Sequence, residues 1–143
     1  MTNANEKLLD DMYAAWRAHD AEKVASYYAQ DCVYEDMAMG VVNRGRDGVL
    51  NFAREVYGTM PDFRVEYETR FATETDGAGQ WIITATWNGP FEGVDRTGRK
   101  VRFTGLSLYR FRDGKISHAK DCWDFSVMMK QMGLLREDLR GLE

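Results

Sequence analysis

The pattern of apolar and polar residues predicts two helices and a strand at the start of the chain. Asn3 with Glu6 three positions later is typical of a helix N-cap, and Asp20 is placed to cap a second, shorter helix. A strand is predicted from Cys32 to about Met37. The first helix has one apolar face because its large hydrophobic residues recur three or four positions apart: Leu8, Leu9, Met12, Tyr13 and Trp16.

The middle of the chain changes from a helical period to a strand period. Gly45 to Gly48 opens a third helix, which Pro61 stops. Beyond it, apolar and charged residues alternate from Phe63 to Phe71, the clearest strand signal in the sequence. Asp76 to Gly79 is predicted to be a turn. The remaining predicted elements are strands from Gln80 to about Pro90, from about Lys100 to Arg112 and from Lys115 to Trp123, then a helix capped by Asp124 and ended by Gly133.

This order of elements predicts an α+β domain. A strongly bent antiparallel sheet would wrap around the N-terminal helices and leave a deep pocket between sheet and helices. Such a concave, mostly apolar space is typical of a small-molecule site. With 143 residues, residues 1–143 are expected to form one domain.

Composition excludes several classes of partner. Nineteen Lys and Arg residues against twenty-three Asp and Glu give a net charge of −4, so we expect neither nucleic acid nor an anionic membrane as a partner. The N-terminus lacks the features of a signal peptide, and no stretch reaches the roughly 18 apolar residues of a membrane span, so a cytoplasmic protein is expected.

Candidate metal and cofactor motifs are missing from the sequence. Cys32 and Cys122 lie far apart without a histidine at ligand spacing, and both are expected to be small buried hydrophobic residues. No phosphate loop, metal-ligand set or nucleotide motif is present, so neither a cofactor nor a metal is predicted. The charged stretches Arg64 to Arg70 and Arg136 to Arg140 are expected to be solvated surfaces.

Several short motifs carry a family resemblance through their order and spacing. They are Ala14 to Asp20, Gly45 to Gly48, Met60 to Phe63, Gly89 to Gly93, Thr97 to Arg99, Tyr109 to Ile116, Asp121 to Asp124 and Gln131 to Gly133. From Leu8 to Gly133 the chain resembles the SnoaL-like polyketide cyclases of the nuclear transport factor 2-like superfamily, and in part limonene epoxide hydrolase. The resemblance implies a cone-shaped half-barrel with a deep central pocket, and a homodimer formed through the outer face of the sheet.

Asp121 is the first candidate catalytic residue. The resemblance implies that this aspartate, on the last strand, points into the pocket and serves as acid or base. A carboxylate enclosed by apolar walls loses solvation, its pKa rises, and it can exchange protons near neutral pH. The alternative is a solvated aspartate paired with a Lys or Arg. Strand alternation places His118 on the face opposite Asp121 and Trp123, so a histidine relay is not expected.

Asp36 is the second candidate catalytic residue. Tyr34 to Met37 resembles a segment of the epoxide hydrolase in which a Tyr, and an Asn at the place of Asp36, hold the attacking water. Two carboxylates in one dry pocket push their pKa values apart, so Asp36 and Asp121 could form an acid and base pair. The alternative is that Asp36 turns to solvent at the strand end.

Other positions depart from both groups of relatives. Thr86 and Asn88 stand where the hydrolase carries an Arg and an Asp, and Ser107 stands roughly where the cyclases carry a His. Thr86 and Asn88 are uncharged but could orient a carbonyl oxygen. The charged triad of the hydrolase and the Asp and His pair of the cyclases are therefore both incomplete here.

The pocket walls are predicted to be aromatic. Large, rigid rings would suit a flat or polycyclic apolar ligand, although aromatic stripes at helix and strand spacing also serve as plain core packing. The candidates are Trp16, Tyr28, Tyr34, Phe52, Trp87 and Trp123.

The sequence thus leaves functions of different classes open. The first is a cofactor-independent cyclase or isomerase that uses Asp121 as general acid and base on an apolar, carbonyl-bearing substrate. The second is a non-catalytic protein of the same fold that binds a small ligand. Epoxide hydrolysis is a further alternative.

Overall fold

The computed structural model describes residues 2–134, so the predicted surface stretch Arg136 to Arg140 lies outside the described residues. Within them the chain forms four helices and eight strands. The helices are α1 (Ala4–Arg17), α2 (Ala21–Ser26), α3 (Gly45–Thr59) and α4 (Phe125–Gln131). The strands are β1 (Tyr28–Asp36), β2 (Val41–Arg44), β3 (Arg64–Ala72), β4 (Asp76–Thr86), β5 (Pro90–Phe91), β6 (Val94–Asp95), β7 (Lys100–Arg112) and β8 (Lys115–Trp123).

Three helices begin at the predicted caps. The side chains of Asn3, Asp20 and Asp124 accept hydrogen bonds from the backbone N–H groups of Glu6, Lys23 and Val127, respectively. Each bond satisfies one of the amide groups that the first turn of a helix leaves without a partner. The helix starts are thereby confirmed.

Six strands form one sheet in the order β2, β1, β8, β7, β4, β3. All neighbours are antiparallel except β1 and β8, which run parallel, so the prediction of an antiparallel sheet holds with that one exception. The sheet is strongly curved and does not close, and α1, α3 and α4 pack against β3, β1 and β7. The predicted α+β fold class is confirmed. None of the described helices is both long enough and apolar enough to cross a bilayer.

The predicted turn at Asp76 to Gly79 is wrong, because these residues open strand β4. Their glycines serve close packing rather than a turn. A Cβ at Gly79 would overlap the Tyr13 hydroxyl, and one at Gly77 would lie 2.9 Å from the backbone oxygen of Phe71. Small residues are required wherever other groups approach a strand this closely. Strand β2, with mostly exposed residues, was not predicted either.

A bulge in β3 interrupts the predicted alternation from Phe63 to Phe71. The pairing with β4 shifts register between Tyr67 and Thr69. Val65 and Tyr67 therefore lie on the inner face, whereas Phe71 points outward and is 62% exposed. An extra residue in one strand moves the following side chains to the opposite face.

The two cysteines differ in burial. Cys32 is buried, as predicted, but Cys122 is exposed, so that prediction is wrong. Cys122 lies one position beyond Asp121 on β8, and strand alternation turns it to the outer face.

Candidate functional site

A cavity of about 470 Å³ lies between the inner face of the sheet and the helices. Its walls are mainly aromatic, and every charged side chain among the described lining residues is acidic. The six aromatic residues predicted as walls all line it: Trp16, Tyr28, Tyr34, Phe52, Trp87 and Trp123.

Three neighbouring strands place the polar groups of the cavity. Asp121 on β8 is in register with Ser107 on β7 and with Asp36 on β1. Since side chains of paired residues point to the same face, all three enter the cavity. All three are buried, with Asp121 and Asp36 each 8% exposed. Sheet pairing therefore brings together residues that lie far apart in the sequence.

Asp121 accepts a hydrogen bond on each carboxylate oxygen. The Ser107 hydroxyl donates to Oδ1 at 2.6 Å, and the Tyr34 hydroxyl donates to Oδ2. Asp121 is buried and forms no ion pair within residues 2–134, in contrast to the solvated, Lys- or Arg-paired aspartate that was the alternative.

Burial raises the pKa of Asp121 to about 6 from 3.8. Loss of hydration disfavours the charged form, and this effect exceeds the opposing effect of the hydrogen bonds from Ser107 and Tyr34. The Asp36 carboxylate adds a smaller rise, because a second negative charge disfavours ionisation of the first. Asp121 can therefore exchange a proton near neutral pH.

Trp81 was not predicted as a site residue but belongs to the same network. Its indole Nε1 donates to Ser107 Oγ at 2.8 Å, and both side chains are buried. Gly105 on β7 is paired with Trp81 on β4 and leaves room for the indole ring, since a Cβ at Gly105 would overlap that ring. The sequence could have predicted Trp81 as a cavity residue, because it lies six positions before Trp87 and an even spacing along a strand places both on the same face.

Asp36 also lies against the cavity rather than in solvent. The Trp123 indole Nε1 is 3.0 Å from Oδ1 and 3.2 Å from Oδ2, and the backbone N–H of Met39 donates to Oδ1 at 3.0 Å. These bonds hold Asp36 at the end of β1, where it closes the turn toward β2.

Thr86 and Asn88 are not brought to the cavity. Among the residues that line it, β4 and its continuation contribute Trp81, Ile83 and Trp87, so the period of two directs Thr86 and Asn88 to the other side. The Thr86 backbone N–H donates to Asp62, and the Asn88 side chain donates to the backbone oxygen of Gly58. A role for either in orienting a substrate carbonyl therefore finds no support in their positions.

The two histidines lie away from Asp121. His118 Nε2 is 2.8 Å from Glu35 Oε2, and His19 Nε2 is 2.7 Å from the backbone oxygen of Phe63. Neither side chain lines the cavity as the described residues define it. Within the same residues, no group of three His, Cys, Asp or Glu side chains is arranged to hold a metal ion.

Comparison with known proteins identifies the family. The family model of the SnoaL-like polyketide cyclases matches residues 6–132. The chain therefore belongs to the SnoaL-like polyketide cyclase family, as the resemblance predicted. Curated protein sequences give no match to it.

Solved structures show the same fold at low sequence identity. AclR from Streptomyces galilaeus, a proposed hydroxylase, is 24% identical with a TM-score of 0.81, over 95% of this chain and 100% of that one. IdmH from Streptomyces antibioticus, a proposed polyketide cyclase, is 25% identical with a TM-score of 0.75, over 89% and 96%. A protein of ketosteroid isomerase-like fold from Catenulispora acidiphila is 17% identical with a TM-score of 0.76, over 90% and 94%.

Proposed function

We propose that this protein is a cofactor-independent cyclase or isomerase that uses Asp121 as general acid and base on an apolar, carbonyl-bearing substrate. The observation that carries the proposal is the burial of Asp121 in the wall of an aromatic cavity, without a cationic partner among the described residues. Membership of the cyclase family supports the same reaction class.

The proposed reaction needs one proton acceptor and one proton donor at different stages. The Asp121 carboxylate removes a proton from a carbon next to a carbonyl, and the electron pair moves onto the carbonyl oxygen as an enolate. In a cyclisation, the enolate carbon attacks a second carbonyl of the same molecule, and protonated Asp121 returns its proton to the new alkoxide. In an isomerisation, the proton returns to another carbon. A pKa of about 6 suits both directions of transfer.

The cavity supports a planar, apolar substrate. Its volume of about 470 Å³ lies within the range typical of small-molecule sites, and its aromatic walls offer flat surfaces for ring stacking. Hydrogen bonds from Trp123 and Met39 hold Asp36 in register with Asp121, and this position of a second carboxyl group supports the pair predicted as acid and base.

The direct test of this proposal is proton exchange at a carbon next to a carbonyl. Polycyclic ketones incubated with the protein in heavy water should gain deuterium there, as measured by mass spectrometry. Asp121→Asn should abolish the exchange, and Asp76→Asn, which changes an exposed carboxylate on β4, should not. Exchange that is unchanged in Asp121→Asn would overturn the role of Asp121.

A non-catalytic ligand-binding protein is the second candidate. It is favoured by one observation, that both Asp121 oxygens already accept hydrogen bonds from protein groups. The same experiment separates the two, since a carrier would bind the ketones, with quenching of its tryptophan fluorescence, and catalyse no exchange. Epoxide hydrolysis finds less support, because no Arg is among the residues that line the cavity in the described part of the chain.

The outer face of the sheet supports the proposal of a homodimer. Leu106 and Leu108 on β7 are 55% and 59% exposed. Of the residues paired with them in the neighbouring strands, two are apolar or weakly polar and two are polar: Ala78 and Cys122, and Gln80 and Lys120. An exposed apolar group on the middle strands of a sheet is typical of a protein contact. A second copy of this chain is the proposed occupant of this outer patch, which we define as Leu106, Leu108, Phe71, Ala78 and Cys122.

A further inference from the structure

The two hydroxyl groups that donate to Asp121 differ in whether they also accept a hydrogen bond from a third residue. Ser107, which donates to Oδ1, accepts a hydrogen bond from the Trp81 indole N–H at 2.8 Å. The hydroxyl of Tyr34, which contacts Oδ2, has no other hydrogen-bond partner within residues 2–134. One donor is thus held by a third group, and the other is free to reverse its hydrogen bond.

Trp81 fixes the direction of the hydrogen bond from Ser107. An indole N–H can only donate, so Ser107 Oγ must accept from Trp81. The single proton of the serine hydroxyl then points to Asp121 Oδ1, at 2.6 Å. If Oδ1 carried a proton instead, the serine proton would lose its acceptor in a buried place, which is unfavourable. Oδ1 is therefore held as an acceptor in both ionisation states of Asp121.

We propose that Asp121 carries its proton on Oδ2 and exchanges it with the ligand through the Tyr34 hydroxyl, with Trp81 and Ser107 as positioning residues that hold Oδ1 as the acceptor. When Oδ2 is protonated it donates to the Tyr34 oxygen, and the proton of Tyr34 turns into the cavity that Tyr34 lines. The hydroxyl of Tyr34 then faces the ligand.

The relay balances in protons and electrons. In the acid direction the O–H bond of Asp121 breaks and its proton forms a bond with the Tyr34 oxygen, while the former Tyr34 proton bonds to the ligand oxygen or carbon. Tyr34 is neutral before and after, Asp121 becomes a carboxylate, and the ligand gains one proton. The base direction is the reverse. Burial raises the pKa of Tyr34 well above its usual value, so transfer through a neutral phenol is favoured over a tyrosinate.

Among the described residues, two other carboxyl groups, those of Asp36 and Glu55, line the same cavity as Asp121. The remaining titratable groups near Asp121 are phenols, and with Glu55 they come from the elements packed around it. They are Tyr13 on α1, Tyr28 on β1, Tyr67 on β3, Tyr109 on β7 and Glu55 on α3. Burial raises the pKa of each of these four phenols.

The position of the proton can be tested without a substrate, by infrared difference spectroscopy between acidic and neutral pH. The C=O stretch of protonated Asp121, identified by its loss in Asp121→Asn, reports on the oxygen that lacks the proton. Ser107→Ala should shift this band to higher frequency, because the carbonyl Oδ1 loses its donor. Trp81→Phe should give a smaller upward shift. Without the indole N–H to orient it, the Ser107 hydroxyl donates to Oδ1 only part of the time. Tyr34→Phe should shift the band less than Ser107→Ala does, because it removes the acceptor of the O–H group and keeps the donor to the C=O oxygen.

A matched control is Tyr28→Phe, which removes a buried hydroxyl from the same strand and the same cavity wall, and no hydrogen bond from it to Asp121 is present. It should leave the C=O band unchanged. An upward shift in Tyr34→Phe with none in Ser107→Ala would place the proton on Oδ1 and overturn the proposal. The spectra do not depend on the proposed function.

The relay step rests on the proposed function and has its own test. For the deuterium exchange described above, Ser107→Ala should move the pH profile upward, because the charged form of Asp121 loses a donor. Tyr34→Phe should lose at least 100-fold at every pH, roughly the contribution of one positioned proton-transfer group. Full activity of Tyr34→Phe at its own optimum pH would show direct transfer from Asp121. If the unaltered protein shows no exchange, the proposed function fails, and the infrared result still decides where the proton lies.

Discussion

At the scale of single residues, the environment of Asp121 departs most from that of an aspartate in water. The carboxyl is 8% exposed, and burial raises its pKa to about 6. The same group that can serve as acid or base is therefore costly to keep ionised in the folded state. Since a buried group of this kind affects stability, its ionisation can be measured through unfolding.

Replacement of Asp121 should remove a pH dependence of stability. A carboxyl whose pKa is about 6 when folded and near 3.8 when unfolded binds more protons in the native state between these values. The free energy of unfolding should therefore fall as pH rises from about 3 to about 7, by roughly 3 kcal/mol in total. Urea unfolding of Asp121→Asn should lack this decrease, and Asp76→Asn should retain it. An equal decrease in both variants would show that other groups cause it.

Residue positions explain which parts of the site could be predicted. Asp121, Ser107, Asp36 and Trp123 share a face because strand alternation and pairing place them there. Thr86 and Asn88 were chosen from a resemblance alone, and the period of two, applied from Trp87, would have excluded both.

At the scale of elements, close cross-strand packing determines where Trp81 lies. A Cβ at Gly105 would overlap the Trp81 ring and lie 2.8 Å from Cβ of Trp123. Gly105→Ala should therefore displace Trp81 from Ser107 and lower the free energy of unfolding by about 1–3 kcal/mol. Urea unfolding followed by tryptophan fluorescence measures both effects.

The control for this substitution is Gly58→Ala in α3. A Cβ at Gly58 has nothing within 4 Å, so the change should be neutral or stabilising, by up to about 1 kcal/mol, because alanine favours the helix. Comparable destabilisation in both variants would contradict the role assigned to Gly105.

Elements with strong periodicity could be predicted, and those shaped by packing could not. The helix caps and the bounds of β7 and β8 follow from local sequence. The bulge in β3 and the glycine-rich start of β4 depend on contacts such as that of Tyr13 with Gly79, which a single sequence does not display. β1 and β8 are the first and last strands along the chain, so their parallel pairing has no local signal in the sequence either.

At the scale of the whole molecule, the curved sheet has two faces with different tasks. Its inner face forms the cavity and the network around Asp121, and its outer face carries the outer patch defined above. Adjacent residues of a strand point to opposite faces of the sheet, so Ser107 points into the cavity and its neighbours Leu106 and Leu108 lie on the outer face. Contact between two copies over the outer patch would thus support the strand that positions the site.

Disruption of the outer patch should convert the proposed dimer into monomers. The double substitution Leu106→Lys and Leu108→Lys places like charges opposite each other across a two-fold contact, where they repel and remain solvated only when the copies separate. Light scattering during gel filtration should give twice the 16.5 kDa chain mass for the unaltered protein and the chain mass for the variant. Val94→Lys, an equally drastic change of a 50% exposed residue on β6, should stay dimeric. A monomeric unaltered protein, or dissociation in Val94→Lys as well, would contradict the outer patch as the interface.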